Sequence, residues 1–281
     1  MKTRFSQWIF FLLCLTGAAS IAWMSPDTPI RNESPAKMRL VWADEFDYTG
    51  LPDSTRWGYD VGDGGPVNCF WGNNELQYYT ERRLQNARVE EGHLVIEARR
   101  ESMGTREYTS ARLVSKHKGD WTYGKIVARA KLPSGRGVWP AIWMLPTDWV
   151  YGGWPSSGEI DIMEHVGFMP DSVFGTVHTN LYNGALGTQK SKGIPCQTLY
   201  SEFHEYGVSW DESKIEFLFD GHTYYTFPNN HEGSDAWPFD LDFHMVLNIA
   251  VGGNWGGKMG VDTSVWPQQM VVDYVRVYQR K

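Results

Sequence analysis

The stretch Gly158-Glu159-Ile160-Asp161-Ile162-Met163-Glu164-His165-Val166-Gly167 places three carboxylates within six residues, between the turn residues Pro155-Ser156-Ser157 and Pro170. Acidic and apolar residues alternate from Glu159 to Ile162, the period-two pattern of a strand with one face on a core. Glu159 and Asp161 therefore share one face, and Ile160 and Ile162 the other. Strict alternation would then put Met163 beside the acids and turn Glu164 away. One extra residue, a β-bulge, restores the parity and returns Glu164 to the acidic face. With the bulge absorbed, the α-carbons of Glu159 and Glu164 lie roughly 13 Å apart. On a strand curving toward them, two converging glutamates bring their carboxyls to about 5–5.5 Å, the separation used by a retaining glycosidase. Like charges side by side destabilise a sheet, so such a row needs a reason. Spacing alone leaves two open: a pair of carboxylates for glycosidase chemistry, or a cation held by three acids.

The same periodicity recurs on both sides of this stretch. Leu94, Ile96 and Ala98 alternate with Val95, Glu97 and Arg99, and Ile126 to Leu132 alternate in the same way. Tyr206 to Trp210 and Ile215 to Phe219 lead to Asp220-Gly221 and then Tyr224 to Phe227, and an Asp-Gly pair between such runs signals a hairpin. Val271 to Tyr278 closes the series. Many short strands, 29 glycines and no convincing helical stretch predict an all-β fold, an antiparallel β-sandwich. No internal repeat is visible. The 281 residues suffice for one large β domain, read here as residues 39–281.

Residues 1–22 read as a signal peptide, with Lys2 and Arg4 ahead of an apolar core from Trp8 to Leu15 and small residues at Ala18-Ala19-Ser20-Ile21-Ala22. That core is too short to span a bilayer. Bulky Leu13 before Cys14 argues against lipidation. Residues 23–38, with Pro26, Pro29 and Pro35, read as a linker. The expectation is a secreted protein, extracellular or periplasmic, with no membrane association after cleavage and acting as a monomer. Cys69 and Cys196 then remain; they could pair in an oxidising compartment, but two cysteines are no framework. A net charge of −7 and the lack of a basic run exclude nucleic acid as a partner.

The 14 Trp and 14 Tyr exceed what one core needs, and flat rings suit the apolar faces of sugars. In Gly137-Val138-Trp139-Pro140-Ala141-Ile142-Trp143, the two indoles share a strand face with small Ala141 between them, as core residues or as rings lining a groove. Trp71-Gly72-Asn73-Asn74-Glu75-Leu76-Gln77-Tyr78-Tyr79 is rich in amides, which donate and accept as sugar hydroxyls require; a turn and an edge strand account for it as well. Gly252-Gly253-Asn254-Trp255-Gly256-Gly257 offers its one ring little to pack on, which predicts a rim or lid rather than core. No Lys-Ser/Thr pair follows that loop, no G-x-S-x-G occurs, and no zinc spacing links the histidines. All histidines but His178 read as structural.

Taken together, the acid stretch, Val41-Trp42-Ala43-Asp44-Glu45-Phe46, Asn73 to Tyr78, Gly137 to Met144 and Val272 to Tyr278 resemble glycoside hydrolase family 16 from about Leu40 to Gln279, and within it the laminarinase-like endo-β-1,3-glucanases. The resemblance implies a concanavalin-like jelly roll with an open concave cleft, and retaining endo-hydrolysis of β-1,3-glucan. It makes Glu159 the nucleophile, Glu164 the acid/base and Asp161 a hydrogen-bonding partner of the nucleophile. It also suggests Asn74, Arg112, Trp139, Trp143 and His178 as cleft contacts, beside the rim residue Trp255 read from its loop. It implies no cofactor for catalysis, and a structural calcium held by Glu45, the Gly92 carbonyl and Asp273; Glu45 and Asp273 read equally as surface acids. Cys69-Phe70 before Trp71 departs from the family's commoner pattern. Competing expectations are hydrolysis of mixed-linkage glucan, agar or carrageenan, and glucan binding without catalysis.

Overall fold

The protein is seen in a computed structural model that describes residues 38–66 and 68–281. The expected signal peptide and the linker up to residue 37 lie outside the described residues, and Met38, assigned by the sequence to the linker's end, opens the first strand. In chain order the first nine strands are β1 (Met38–Asp44), β2 (Gly58–Tyr59), β3 (Gln77–Tyr79), β4 (Ala87–Glu90), β5 (His93–Met103), β6 (Arg106–Ser110), β7 (Arg112–Val114), β8 (Asp120–Trp121) and β9 (Gly124–Lys131). They continue as β10 (Val138–Pro146), β11 (Glu159–Glu164), β12 (Ser172–His178), β13 (Lys190–Pro195), β14 (His204–Trp210), β15 (Lys214–Phe219), β16 (His222–Pro228), β17 (Phe243–Val251) and β18 (Gln268–Arg280). One helical turn, Phe70–Asn74, interrupts the series.

The strands form two sheets. A ten-stranded sheet runs β16-β15-β14-β9-β18-β5-β6-β3, with β1 on β18 and β4 on β5. An eight-stranded sheet runs β13-β12-β11-β10-β17-β7-β2, with β8 on β17. Pairing is antiparallel throughout, as alternation predicted, except that β3 lies parallel to β6. The Asp220-Gly221 turn joins β15 to β16 with both residues at positive φ, 47° and 76°, the left-handed pair a two-residue hairpin needs.

The inward faces of the two sheets make one core. From the eight-stranded sheet come Ile142, Met144, Ile160, Ile162, Met163, Val177 and Ile249; Ile126, Ala128, Val208, Phe217, Val275 and Val277 come from the other. These side chains are essentially inaccessible to water. Burial of each large one stabilises the fold by about 1.5–3 kcal/mol before chain entropy is charged against it. The outer face of the eight-stranded sheet carries the acids, and the core holds that face in place from beneath.

Candidate active site

The register around β11 shows how three acids come to share a face. Against β10, Met163 and Asp161 lie opposite the consecutive residues Ile142 and Trp143, so Ile162 has no partner of its own. Against β12, the three steps from Asp161 to Glu164 match only two, from Thr176 to Phe174. One extra residue is thus present, and Ile162 and Met163 both point into the core at 1% exposure. Glu159 stands opposite His178, Asp161 between Thr176 and Trp143, and Glu164 between Phe174 and Ala141.

Each acid has a distinct set of partners. The Trp154 indole donates to Glu159 Oε2 at 2.8 Å, and the Trp139 indole donates to Glu164 Oε1 at 3.1 Å. His178 Nε2 lies 3.3 Å from Asp161 Oδ2 and 3.9 Å from Glu159 Oε1. The Gly184 backbone N–H donates to His178 Nδ1 at 3.1 Å. An amide can only donate, so Nδ1 accepts and the ring proton sits on Nε2, toward the carboxylates. Glu159, Asp161 and His178 offer ligand atoms within 4.8 Å of one another. In this tautomer His178 presents them a proton rather than a lone pair, which favours proton chemistry over a cation.

Burial separates the acids in proton affinity. Asp161, 2% exposed, is pushed well above the ordinary carboxylate range by desolvation, then by repulsion from Glu159 and Glu164 and by its hydrogen bond with Glu159. Glu164 is pushed up to about 7, again chiefly by desolvation; the His178 ring opposes this, Glu159 adds to it, and bonds from Trp139 and Thr176 pull it back. Near neutrality Glu164 is therefore at the edge of releasing its proton.

The other expected contacts are distributed on either side. Trp139 and Trp143 are half-buried on the outer face with Ala141 between them. Trp255 is no isolated rim residue: its ring meets Trp139 edge-on at 5.6 Å and Phe174 at 5.4 Å. The glycines of that loop are explained by proximity, since a Cβ at Gly256 would lie 2.8 Å from Trp139 Cβ. Asn74 Nδ2 donates to Asn254 Oδ1 at 2.9 Å and ties the helical turn to the same loop. Arg112 pairs with Asp60 at 2.9 Å, and its guanidinium lies between the rings of Trp71, 4.8 Å away, and Trp143, 4.7 Å away. Sequence reasoning missed Trp154, whose signal was an indole stranded in a Pro-Ser turn five residues before Glu159. It also missed Thr176 and Asn248, which carry no local pattern.

The expected calcium ligands lie far from the acids in sequence, just after β1, in the turn before β5 and in the middle of β18. Arg276 grips Glu45 at 2.8 and 2.7 Å, and Arg129 holds Asp273 Oδ2 at 2.5 Å. Gly92 takes φ of +77° in the turn, next to His93, whose Nε2 is 3.8 Å from Asp273. An oxygen-only donor set suits a hard cation, which would exchange for the two guanidinium groups. Cys69, exposed, and Cys196, half-buried, are both free thiols, so no bond joins them.

A sandwich whose outer sheet face bears paired glutamates, a buried aspartate between them and flanking indoles is a polysaccharide hydrolase of the two-carboxylate type. The sequence model of the Glycosyl hydrolases family 16 matches residues 67–276, and the chain belongs to that family. It is 55% identical over 256 residues to a beta-glucanase of Rhodothermus marinus, spanning 89% of this chain and 88% of the relative. It superposes on the laminarinase structure from Rhodothermus marinus with a TM-score of 0.84 at 56% identity, covering 88% of this chain and 99% of the other. It is also 40% identical to glucan endo-1,3-beta-glucosidase A1 of Niallia circulans, over 88% of this chain and 38% of that longer protein.

Proposed function

We propose that the protein cleaves β-1,3-glucan of the laminarin type within the chain and with retention of anomeric configuration. The observation that carries the reading is the β11 bulge, which returns Glu164 to the face of Glu159 and leaves it desolvated enough to keep a proton near pH 7. Protonated Glu164 donates to the glycosidic oxygen as Glu159 attacks the anomeric carbon. Asp161 donates to Glu159 and withholds a third negative charge from the cluster. When the leaving sugar departs, Glu164 is ionised and takes a proton from water, which releases the glycosyl group from Glu159. Asn74, Arg112, Trp139, Trp143, His178 and Trp255 line the path of the glucan on this reading.

The substrate assignment draws on the names of the relatives and on a groove of indoles and amides without a free basic cluster for sulfated sugars. Laminarin, lichenan, cellulose, agarose and κ-carrageenan compared side by side, with products sized over time and followed by proton NMR, test it. Laminarin is cut fastest, to oligosaccharides, with the β-anomer appearing first. Faster release from agarose or carrageenan, glucose as the sole product, or the α-anomer first would each overturn part of the reading. The presence of both glutamates speaks against a binding-only role.

The signal peptide supports export, and no helix among the described residues is long and apolar enough to cross a membrane. A calcium held by Glu45, the Gly92 carbonyl and Asp273 would tie β1 to β18 and serve stability alone.

A further inference from the structure

A chain of buried hydrogen bonds runs behind the wall formed by Trp71, Arg112 and Trp143. The Trp143 indole donates to Asn248 Oδ1 at 2.7 Å, and Asn248 Nδ2 donates to the Tyr79 hydroxyl oxygen at 2.9 Å. The Tyr79 hydroxyl donates to Glu75 Oε2 at 3.3 Å, which also receives Gln77 Nε2 at 2.6 Å. Gln77 Oε1 is in turn fixed by the backbone N–H of Val251 at 2.7 Å. Glu75, Gln77, Tyr79 and Asn248 are at most 6% exposed.

The direction of every link is forced. An indole N–H can only donate, so the Asn248 oxygen faces Trp143 and its NH2 faces Tyr79. The Tyr79 oxygen then accepts, and its proton has one place to go. Glu75 ends the chain because its Oε2 accepts from both Gln77 and Tyr79; burial pushes its carboxyl above the ordinary range, and the Gln77 bond and the charge of Arg112 oppose that rise. Tyr79 also meets the Trp71 ring edge-on at 5.4 Å, so the same hub touches both sides of the wall.

We propose that Glu75, which the sequence suggested only as part of a sugar-facing amide run, is a positioning residue: through Tyr79 and Asn248 it fixes the plane of Trp143, and with it the Arg112 stack beside Asp161. The inference rests on the reading of Trp143 as a wall of the glucan cleft. A buried network with one allowed polarity has one orientation, whereas a neutral amide at position 75 admits two. Rigid seating of the ring lowers the ordering cost when a glucosyl unit docks.

The test uses the full chain and two readouts. The indole N–H resonance of Trp143 is assigned as the one lost in Trp143→Phe, and its hydrogen exchange is measured in Glu75→Gln and Tyr79→Phe. Exchange accelerates about tenfold or more in both variants, as expected for loss of a buried hydrogen-bond link, while the Trp154 indole is unaffected. Unchanged exchange in both would overturn the proposal whatever the substrate is. On laminarin, Glu75→Gln raises KM about tenfold with a smaller change in kcat, and adds less than about twofold in a Trp143→Phe background. Fully multiplicative effects would mean that Glu75 does not act through Trp143. A wild-type protein inert on laminarin with the exchange result intact would sink the substrate reading and leave the positioning role standing.

Discussion

At the scale of single residues, the division of labour proposed for Glu159 and Glu164 rests on solvation more than on identity. Both are glutamates on one strand, yet Glu164 is held near 7 chiefly by burial, while Glu159 accepts a hydrogen bond from the Trp154 indole. Replacement of either by Gln removes a reacting group, and activity falls by about 10²–10⁴-fold or more with circular dichroism unchanged; substantial residual turnover in a folded variant would show that the pair is misassigned. Asp161→Asn takes away only a supporting proton and lowers activity less. The raised pKa of Glu164 also predicts a basic limb near 7 in kcat/KM, because the reacting form is protonated. Its effect on stability has a definite sign. The unfolded chain releases this proton from about 4.5 upward and the folded one only near 7, so stability falls as pH rises through that window. Glu164→Gln is free of this loss, so its advantage in melting temperature over wild type grows between about pH 5 and about pH 8. A difference that stays flat across that range would show that the carboxyl is not held protonated.

At the scale of elements, β11 depends on its extra residue and β12 on a missing side chain. Deletion of Met163 would leave Glu164 in strict alternation on the acidic face, but it would remove a side chain 1% exposed from the core and draw Glu164 one strand step, about 3.3 Å, toward Glu159; the expected result is loss of activity together with a lower melting temperature. On β12, Gly175 faces the opposite sheet, where a Cβ would come within 2.4 Å of Phe217 and 2.5 Å of the Tyr224 hydroxyl. Gly175→Ala therefore overpacks the core and destabilises by about 1–3 kcal/mol in urea unfolding, with the activity of the folded fraction retained; a neutral result would mean the sheets can part at no cost. The alternation of β5, β9, β14, β15 and β18 was legible because side-chain direction depends only on residues two apart. The parallel pairing of β3 with β6 was not, since strand partners are chosen by the whole sheet and leave no mark in three residues such as Gln77–Tyr79.

At the scale of the molecule, the first and last described strands meet as β1 on β18 in the ten-stranded sheet. A cation bound by Glu45, Gly92 and Asp273 would act on that closure, so a chelator lowers the melting temperature with initial rates at low temperature unchanged; an identical melting curve after metal removal, verified by elemental analysis, would rule the site out. The local sequence by itself determined that the chain is a β-sandwich, that Glu159, Asp161 and Glu164 share a face through a bulge, and that Asp220-Gly221 turns a hairpin, because periodicity and turn chemistry act between near neighbours. The tertiary structure decided the surroundings of those acids. The proton on His178 Nε2 is set by Gly184 in the following loop, the counterweight to the desolvation of Glu164 by bonds from Trp139 and Thr176 on two other strands, and the confinement of Arg112 by Trp71 and Trp143. Desolvation and hydrogen-bond polarity are sums over everything packed around a group, and residues that far apart in the chain become neighbours only when the sheets close.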